Sequence, residues 1–107
     1  MFARMLEFKV KPYQKAELIK KLRTEVLPIL NKRVNFVNVI ALETETEPTK
    51  FYAICFWRKE ADAERYEKEL YPKVKEMLEP FLEAPPVVSF YEVEPTISQM
   101  LTASVAA

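Results

Sequence analysis

One stretch, Phe51 to Phe81, sets the terms on which this chain can fold. Its opening residues, Phe51-Tyr52-Ala53-Ile54-Cys55-Phe56-Trp57-Arg58, read as a β-strand that is apolar on both parities. Phe51, Ala53, Cys55 and Trp57 fall on one face and Tyr52, Ile54 and Phe56 on the other, because successive side chains of a strand alternate. Both faces therefore call for burial. A long helix follows from about Glu60, with Ala63, Tyr66, Leu70, Val74, Met77, Leu78 and Phe81 at the three-and-four spacing of a core-facing stripe. Strand and helix together form a β-α unit that needs partners on both sides.

The chain's 107 residues, 50% of them hydrophobic, suit one compact domain. That domain is expected over residues 1–95, with a tail over 96–107. No apolar run approaches the roughly 18 residues that cross a bilayer, so the expectation is a soluble, cytoplasmic protein with no membrane partner. Cys55 is the single cysteine, and inside an apolar strand it reads as a small core residue. The sequence contains no histidine and no glycine. The first absence removes Ser-His-Asp and Cys-His pairs, histidine-ligated zinc and a histidine axial ligand to haem. The second removes P-loops and dinucleotide fingerprints. Glu43, Glu45 and Glu47 alternate as along one strand face, yet a solvated strand end entering a turn accounts for them better than a carboxylate metal site. No metal and no cofactor is expected.

Net charge is zero, but its distribution is lopsided. Up to Arg33, nine Lys or Arg face three Glu, an excess of +6, while the remainder holds seven basic against thirteen acidic residues, or −6. The two helical regions are thus electrostatic complements. Lys15, Lys20, Lys21 and Arg23 lie on the polar face of an amphipathic helix without interleaved aromatics to stack bases, so a solvated helix face is expected and no nucleic-acid partner.

In chain order, Phe2 to Val10 reads as a strand whose one face carries Phe2, Leu6, Phe8 and Val10. Lys11-Pro12 stops it. A helix from about Gln14 carries Ala16, Ile19, Leu22, Val26, Ile29 and Leu30 as its apolar stripe, and Pro28 is expected to kink or end it near Val26. Asn35 to Leu42 is a second strand apolar on both faces, with Asn38 a single polar intrusion. Glu43 to Lys50 connects it as a hairpin to the Phe51 strand. Tyr71-Pro72 divides the second helix into about Glu60 to Leu70 and Pro72 to Leu82. Pro85-Pro86 ends it, Val87 to Val93 gives the fourth strand, and Ile97, Met100, Leu101 and Val105 recur at helical spacing in the tail.

The fold class is accordingly α+β: a ferredoxin-like β-α-β-β-α-β domain with a four-stranded antiparallel sheet. Two helices cover one face of such a sheet, and the other would expose a large apolar patch. A homodimer, sheet against sheet, is the expected remedy.

Several segments also resemble the antibiotic biosynthesis monooxygenase domains of the dimeric α+β barrel superfamily. They are Phe8-Lys9-Val10-Lys11-Pro12, Glu25-Val26-Leu27-Pro28-Ile29-Leu30, the strand ending in Trp57 with Ala61, Ala63 and Tyr66 beyond it, Leu70-Tyr71-Pro72, and Tyr91-Glu92-Val93. Glycines usual in that family are replaced here, with Tyr13 after Pro12 and Val34-Asn35 before Phe36; Asn35 suits a left-handed turn. The resemblance implies a cleft between sheet and helices, lined by a tryptophan late in the third strand, which Trp57 matches. Members include cofactor-independent oxygenases of quinol-like aromatics, haem-degrading enzymes and proteins without known activity. Haem degraders resemble one another in an asparagine on the first strand and a helical histidine. Here the strand position looks like Leu6 and histidine is lacking, which disfavours that chemistry.

A cofactor-independent oxygenase asks the protein to exclude water, hold the ring and stabilise phenolate and peroxide charge, because a deprotonated hydroquinone itself passes an electron to dioxygen. Arg4, the one charge on the apolar parity of strand one, and Asn38 are the catalytic candidates. Trp57, Tyr52, Tyr66 and Tyr71 are the candidates for binding a small aromatic ligand. Each has a plainer alternative. Trp57 suits a core position, Arg4 suits snorkelling or pairing with an acidic residue of the second helix, Asn38 suits a strand irregularity or a dimer contact, and the tyrosines suit core positions with wet hydroxyls. Two functions thus stand side by side: a monooxygenase of small aromatic substrates, or a non-catalytic dimeric module that binds a ligand or serves assembly.

Overall fold

The computed structural model describes residues 1–99. The elements run β1 (Phe2–Lys9), α1 (Lys15–Lys21), a π-helical turn (Leu22–Val26), α2 (Leu27–Asn31), β2 (Phe36–Glu43), β3 (Lys50–Trp57), α3 (Glu60–Glu69), α4 (Tyr71–Leu78), a 3-10 turn (Glu79–Phe81) and β4 (Val87–Glu92). This is the expected β-α-β-β-α-β order with both helical regions divided. The sheet has the order β2-β3-β1-β4, every pair is antiparallel, and it is open. Of the tail residues singled out for helical spacing, Ile97 is exposed in a turn, while Met100, Leu101 and Val105 lie outside the described residues.

Register explains which face meets the helices. Phe2, Arg4, Leu6 and Phe8 of β1 stand opposite Trp57, Cys55, Ala53 and Phe51 of β3, and all eight are buried. The helices pack on that face through Leu18, Val26, Leu30, Ala63, Tyr66, Val74 and Leu78. Tyr52, Ile54 and Phe56 occupy the other face and are only half-buried. Beside them, Leu42 and Tyr91 remain exposed.

The first helical region is interrupted near Val26 as expected, but by a widened turn and not by a stop. Pro28 does not stop the helix at Val26; a π turn spans Leu22–Val26, and Pro28 sits in the first turn of α2. Proline lacks an N–H and its ring crowds the carbonyl four residues back. The wider turn, closed by the Leu27 N–H donating to the Leu22 carbonyl, accommodates both. It also changes which residues are buried. A row of every fourth residue drifts by about 40° per step around a regular helix, and the extra residue of a π turn takes up that drift. Leu18, Leu22, Val26 and Leu30 consequently share a face, so Leu18 is buried and Ala16, expected on the stripe, is exposed.

Without glycine, two turns use other residues with positive φ: Tyr13 at 65° and Asn35 at 63°. Asn35 is placed as expected for a left-handed turn. Its Nδ2 donates to Asp62 Oδ2 at 2.7 Å, and its carbonyl accepts from the Arg58 N–H at 2.8 Å, which ties the start of β2 to the start of α3. The register of β2 against β3 slips between Phe36 and Asn38, so the polar intrusion read from the sequence marks a β-bulge.

Candidate functional site

Between the sheet and the two helical regions lies a pocket of about 210 Å³. Its floor is the buried sheet face: Arg4, Leu6 and Phe8 of β1, Phe51, Ala53 and Cys55 of β3, and Val39 and Ala41 of β2. One wall comes from α1, the π turn and α2, and the other from Tyr66, Tyr71, Val74 and Leu78. Almost every lining group is apolar. The exceptions are Arg4, Arg23, the Cys55 thiol and the two tyrosine hydroxyls.

Arg4 is 2% exposed, the one buried charged residue among the described residues. Two neighbours hold it. Its Nε donates to Glu67 Oε2 on α3, a carboxylate with a side chain 27% exposed. Its guanidinium stacks on the Tyr71 ring with Cζ 4.0 Å from the centroid, and Tyr66 lies at 5.6 Å. These contacts leave Arg4 Nη2 and the Tyr71 hydroxyl buried without a hydrogen-bond partner among the described residues. A buried, unpartnered N–H costs about 1–3 kcal/mol.

The remaining titratable groups are held in their neutral forms. Burial pushes the Cys55 thiol up to about 11, despite the opposing pull of Arg4. Burial likewise raises Tyr66 and Tyr71, again against Arg4. The pocket therefore offers a fixed positive charge and hydroxyl donors. It offers no proton acceptor among Cys55, Tyr66 and Tyr71 at neutral pH.

The residues singled out in the sequence divide by position. Arg4, Tyr66 and Tyr71 meet at the pocket. Trp57 is fully buried at its far end in an aromatic row, 5.3 Å from Phe36 and 5.6 Å from Tyr66 by ring centroid, and does not line the cavity. Asn38 pairs with Phe56 and Tyr52 with Glu7 and Leu42, all on the sheet face turned away from the helices. Burial and the neighbouring Glu7 raise the Tyr52 hydroxyl. Glu67 and Arg23 were not singled out as site residues, although each has a signal. Glu67 falls four residues after Ala63 and four before Tyr71, a charge within a buried row. Arg23 falls between Ile19 and Leu27 in the same way.

The open antiparallel sheet, the two divided helical regions and the pocket between them define a class: the chain has the fold of the antibiotic biosynthesis monooxygenase structures. It is similar to a monooxygenase from the gene ActVA-Orf6 of Streptomyces coelicolor, solved in complex with the ligand nanaomycin D, at a TM-score of 0.75 and 18% identity over 92% of each chain. SnoaB, a cofactor-independent oxygenase from Streptomyces nogalater, matches at a TM-score of 0.74 and 13% identity, covering 92% of this chain and 97% of that one. NE2512, a protein of unknown function from Nitrosomonas europaea, matches at 0.71 and 19%, covering 92% and 95%. No family model and no curated protein matches the sequence. At these identities the likeness is one of fold. Among the described residues, no helix is long and apolar enough to cross a membrane, and no cluster of His, Cys, Asp or Glu is arranged to hold a metal ion.

Proposed function

We propose that this protein is a cofactor-independent monooxygenase of small, quinol-like aromatic substrates, which bind in the pocket between sheet and helices. One observation carries the reading: an apolar cavity lined by a buried arginine and a tyrosine whose Nη2 and hydroxyl have no hydrogen-bond partner among the described residues. Drug-sized ligand sites run to roughly 300–1,000 Å³, so a cavity of about 210 Å³ suits a compact molecule of one or two rings. The oxygenases of similar fold, ActVA-Orf6 and SnoaB, support the same class of chemistry.

The reaction needs little from the protein. A hydroquinone and dioxygen give a hydroxyquinone and water; one oxygen atom enters the ring, the other leaves as water, and the substrate supplies all the electrons. Arg4 Nη2 donates to the ring oxygen and favours its phenolate, the form that passes an electron to dioxygen. Tyr71 Oη donates to the same oxygen or to the peroxide that forms after recombination. Removing water from this environment strengthens both interactions. Because Cys55, Tyr66 and Tyr71 stay protonated, the phenol proton leaves to solvent under the influence of Arg4.

The same lack of a neutral-pH base favours a second reading, a dimeric module that binds such a ligand without converting it. Oxygen uptake separates the two. With a panel of hydroquinones and anthrones, the oxygenase gives saturable uptake above the protein-free rate, and Arg4→Met lowers kcat by about a hundredfold, the scale of losing one charge-stabilising donor. If panel members bind and uptake never exceeds the protein-free rate, the binding module stands. We further propose that two chains associate through the uncovered sheet faces, completing the dimeric α+β barrel.

A further inference from the structure

The pocket has a second guanidinium, and it stands at a different level from the first. Arg4 is in the floor, on the sheet. Arg23 is on the π turn, exposed to solvent yet part of the cavity lining, between Ile19 and Leu27, which line it too. The wider turn brings Leu22 and Arg23, and again Val26 and Leu27, to the cavity as adjacent pairs. Arg23 thus forms a charged lip over an apolar interior.

Its charge is also uncommitted. Lys21, two residues earlier, is tied to Glu25 at 2.7 Å, Lys15 to Glu43 at 3.4 Å, and Arg33 to Glu69 at 3.5 Å. Arg23 makes no ion pair and no side-chain hydrogen bond among the described residues. It belongs to the basic half of the sequence, where the local excess is +6. A mouth of that sign raises the local concentration of anions.

From this arrangement we infer that the ligand is a compact aromatic acid with oxygen at both ends: a phenol or enol oxygen on Arg4 at the floor, and a carboxylate on Arg23 at the lip. The inference rests on the ligand occupying the pocket as proposed above and adds its second recognition group. The assignment of ends follows from solvation. The floor is enclosed by apolar side chains, where a carboxylate would give up its strong hydration while a single phenol or enol oxygen gives up far less. At the lip, a carboxylate keeps part of its water and meets the forked guanidinium side by side. A phenol that also carries a carboxylate is thereby oriented, with its ring oxygen inward.

Calorimetric titration of the protein with a naphthol, the matching naphthoate and the hydroxynaphthoate that bears both groups at opposite ends tests this directly. The hydroxynaphthoate is expected to bind about fivefold tighter than the naphthol, the scale of a partly exposed ion pair. Arg23→Gln, a change at an exposed position, removes that advantage, and high salt reduces it in the wild type. Equal affinity for naphthol and hydroxynaphthoate, or an advantage that survives Arg23→Gln, overturns the inference. So does a naphthoate that binds as tightly as the hydroxynaphthoate, since the floor would then recognise nothing. Oxygen uptake is read separately. Two-ended binding without turnover sustains the inference and removes the oxygenase reading, whereas turnover of neutral quinols without any carboxylate preference does the reverse.

Discussion

Arg4 and Glu67 form an ion pair with unequal access to water, at 2% and 27% side-chain exposure. Removing either partner is therefore not equivalent. Glu67→Ala leaves a buried guanidinium without its counter-charge and is expected to cost about 3 kcal/mol or more. Arg4→Met replaces the charge with an apolar side chain, and Glu67 can turn to water, so the change is expected to stay within about 1 kcal/mol. Urea unfolding midpoints of the two variants measure this asymmetry, and equal losses would contradict it. A substitution that spares stability while ending ligand binding would mark Arg4 as a site residue. Trp57 presents the opposite case, because its ring is part of the core and Trp57→Ala is expected to cost about 3–5 kcal/mol before any ligand is considered. Cys55 gives the residue-scale pH dependence. Its thiol rises from 9.0 in the unfolded reference to about 11 in the fold. Below 9 both states hold the proton and stability is unaffected. Above it the unfolded chain loses the proton first, so stability falls as pH climbs toward 11, by an amount on the order of 2 kcal/mol. Cys55→Ala should flatten the fall between pH 9 and 10, below the 10.0 at which tyrosines of the unfolded chain begin to add their own contribution. An unchanged slope in that window would contradict the assignment.

At the scale of elements, the turns show what a chain without glycine requires. Tyr13 holds φ at 65° with its side chain 100% exposed. A left-handed backbone costs a non-glycine residue roughly 1–2 kcal/mol, and here no packing offsets it. Tyr13→Gly is therefore expected to raise stability by about 0.5–1 kcal/mol, part of the relief being lost to the greater freedom of glycine in the unfolded chain. Thermal unfolding checks it, and a lowered midpoint would mean that Tyr13 makes contacts beyond its own turn. Asn35 differs because its side chain bridges to Asp62, so a glycine there relieves the backbone and loses the bridge. The elements themselves were legible in the sequence for a simple reason. The period-two pattern of β1, the continuous apolar run of β3 and the three-and-four stripe of α3 and α4 are local, and the strand order follows from β-α-β-β-α-β connectivity. The π turn was not legible as such. Pro28 announced a disturbance, but whether a proline ends a helix or widens it depends on what the following turn buries, and Leu30 makes continuation worthwhile. The candidate site was legible in part. A lone charge on an apolar parity marked Arg4, and the tyrosines followed from the stripe. Side-chain type alone placed Asn38 and Tyr52 at the site, yet register sets them on the other face, since a bulge at Asn38 and one step along β3 each reverse which side a residue meets.

For the molecule as a whole, the described residues cover the sheet on one face only, and the uncovered face is apolar in its centre. Met5, Ile40, Ile54 and Phe56 lie there in adjacent register positions, half-buried, with Leu42 exposed at 45% beside them. On the same face Asn38 contributes a buried Oδ1 that has no hydrogen-bond partner among the described residues. Such a surface is larger in kind than the scattered apolar residues of an ordinary monomer, and a two-fold copy of itself offers a matching cover. The opposite charges of the two helical regions do not bear on this contact, because they lie on the far side of the sheet. The proposed dimer is thus expected to be driven by apolar burial and to resist salt. Sedimentation should find a dimer at micromolar concentration with little change between low and high salt. Ile54→Lys places a charge at the middle of the face and should yield a monomer with an unchanged far-ultraviolet circular dichroism spectrum. Its ligand affinity should persist, because Ile54 points away from the pocket that Ala53 and Cys55 line from the other side of β3. A wild-type chain that sediments as a monomer at that concentration would contradict the dimer and leave the pocket standing. A monomeric variant that also loses the ligand would mean that association shapes the cavity, making sheet pairing part of the site.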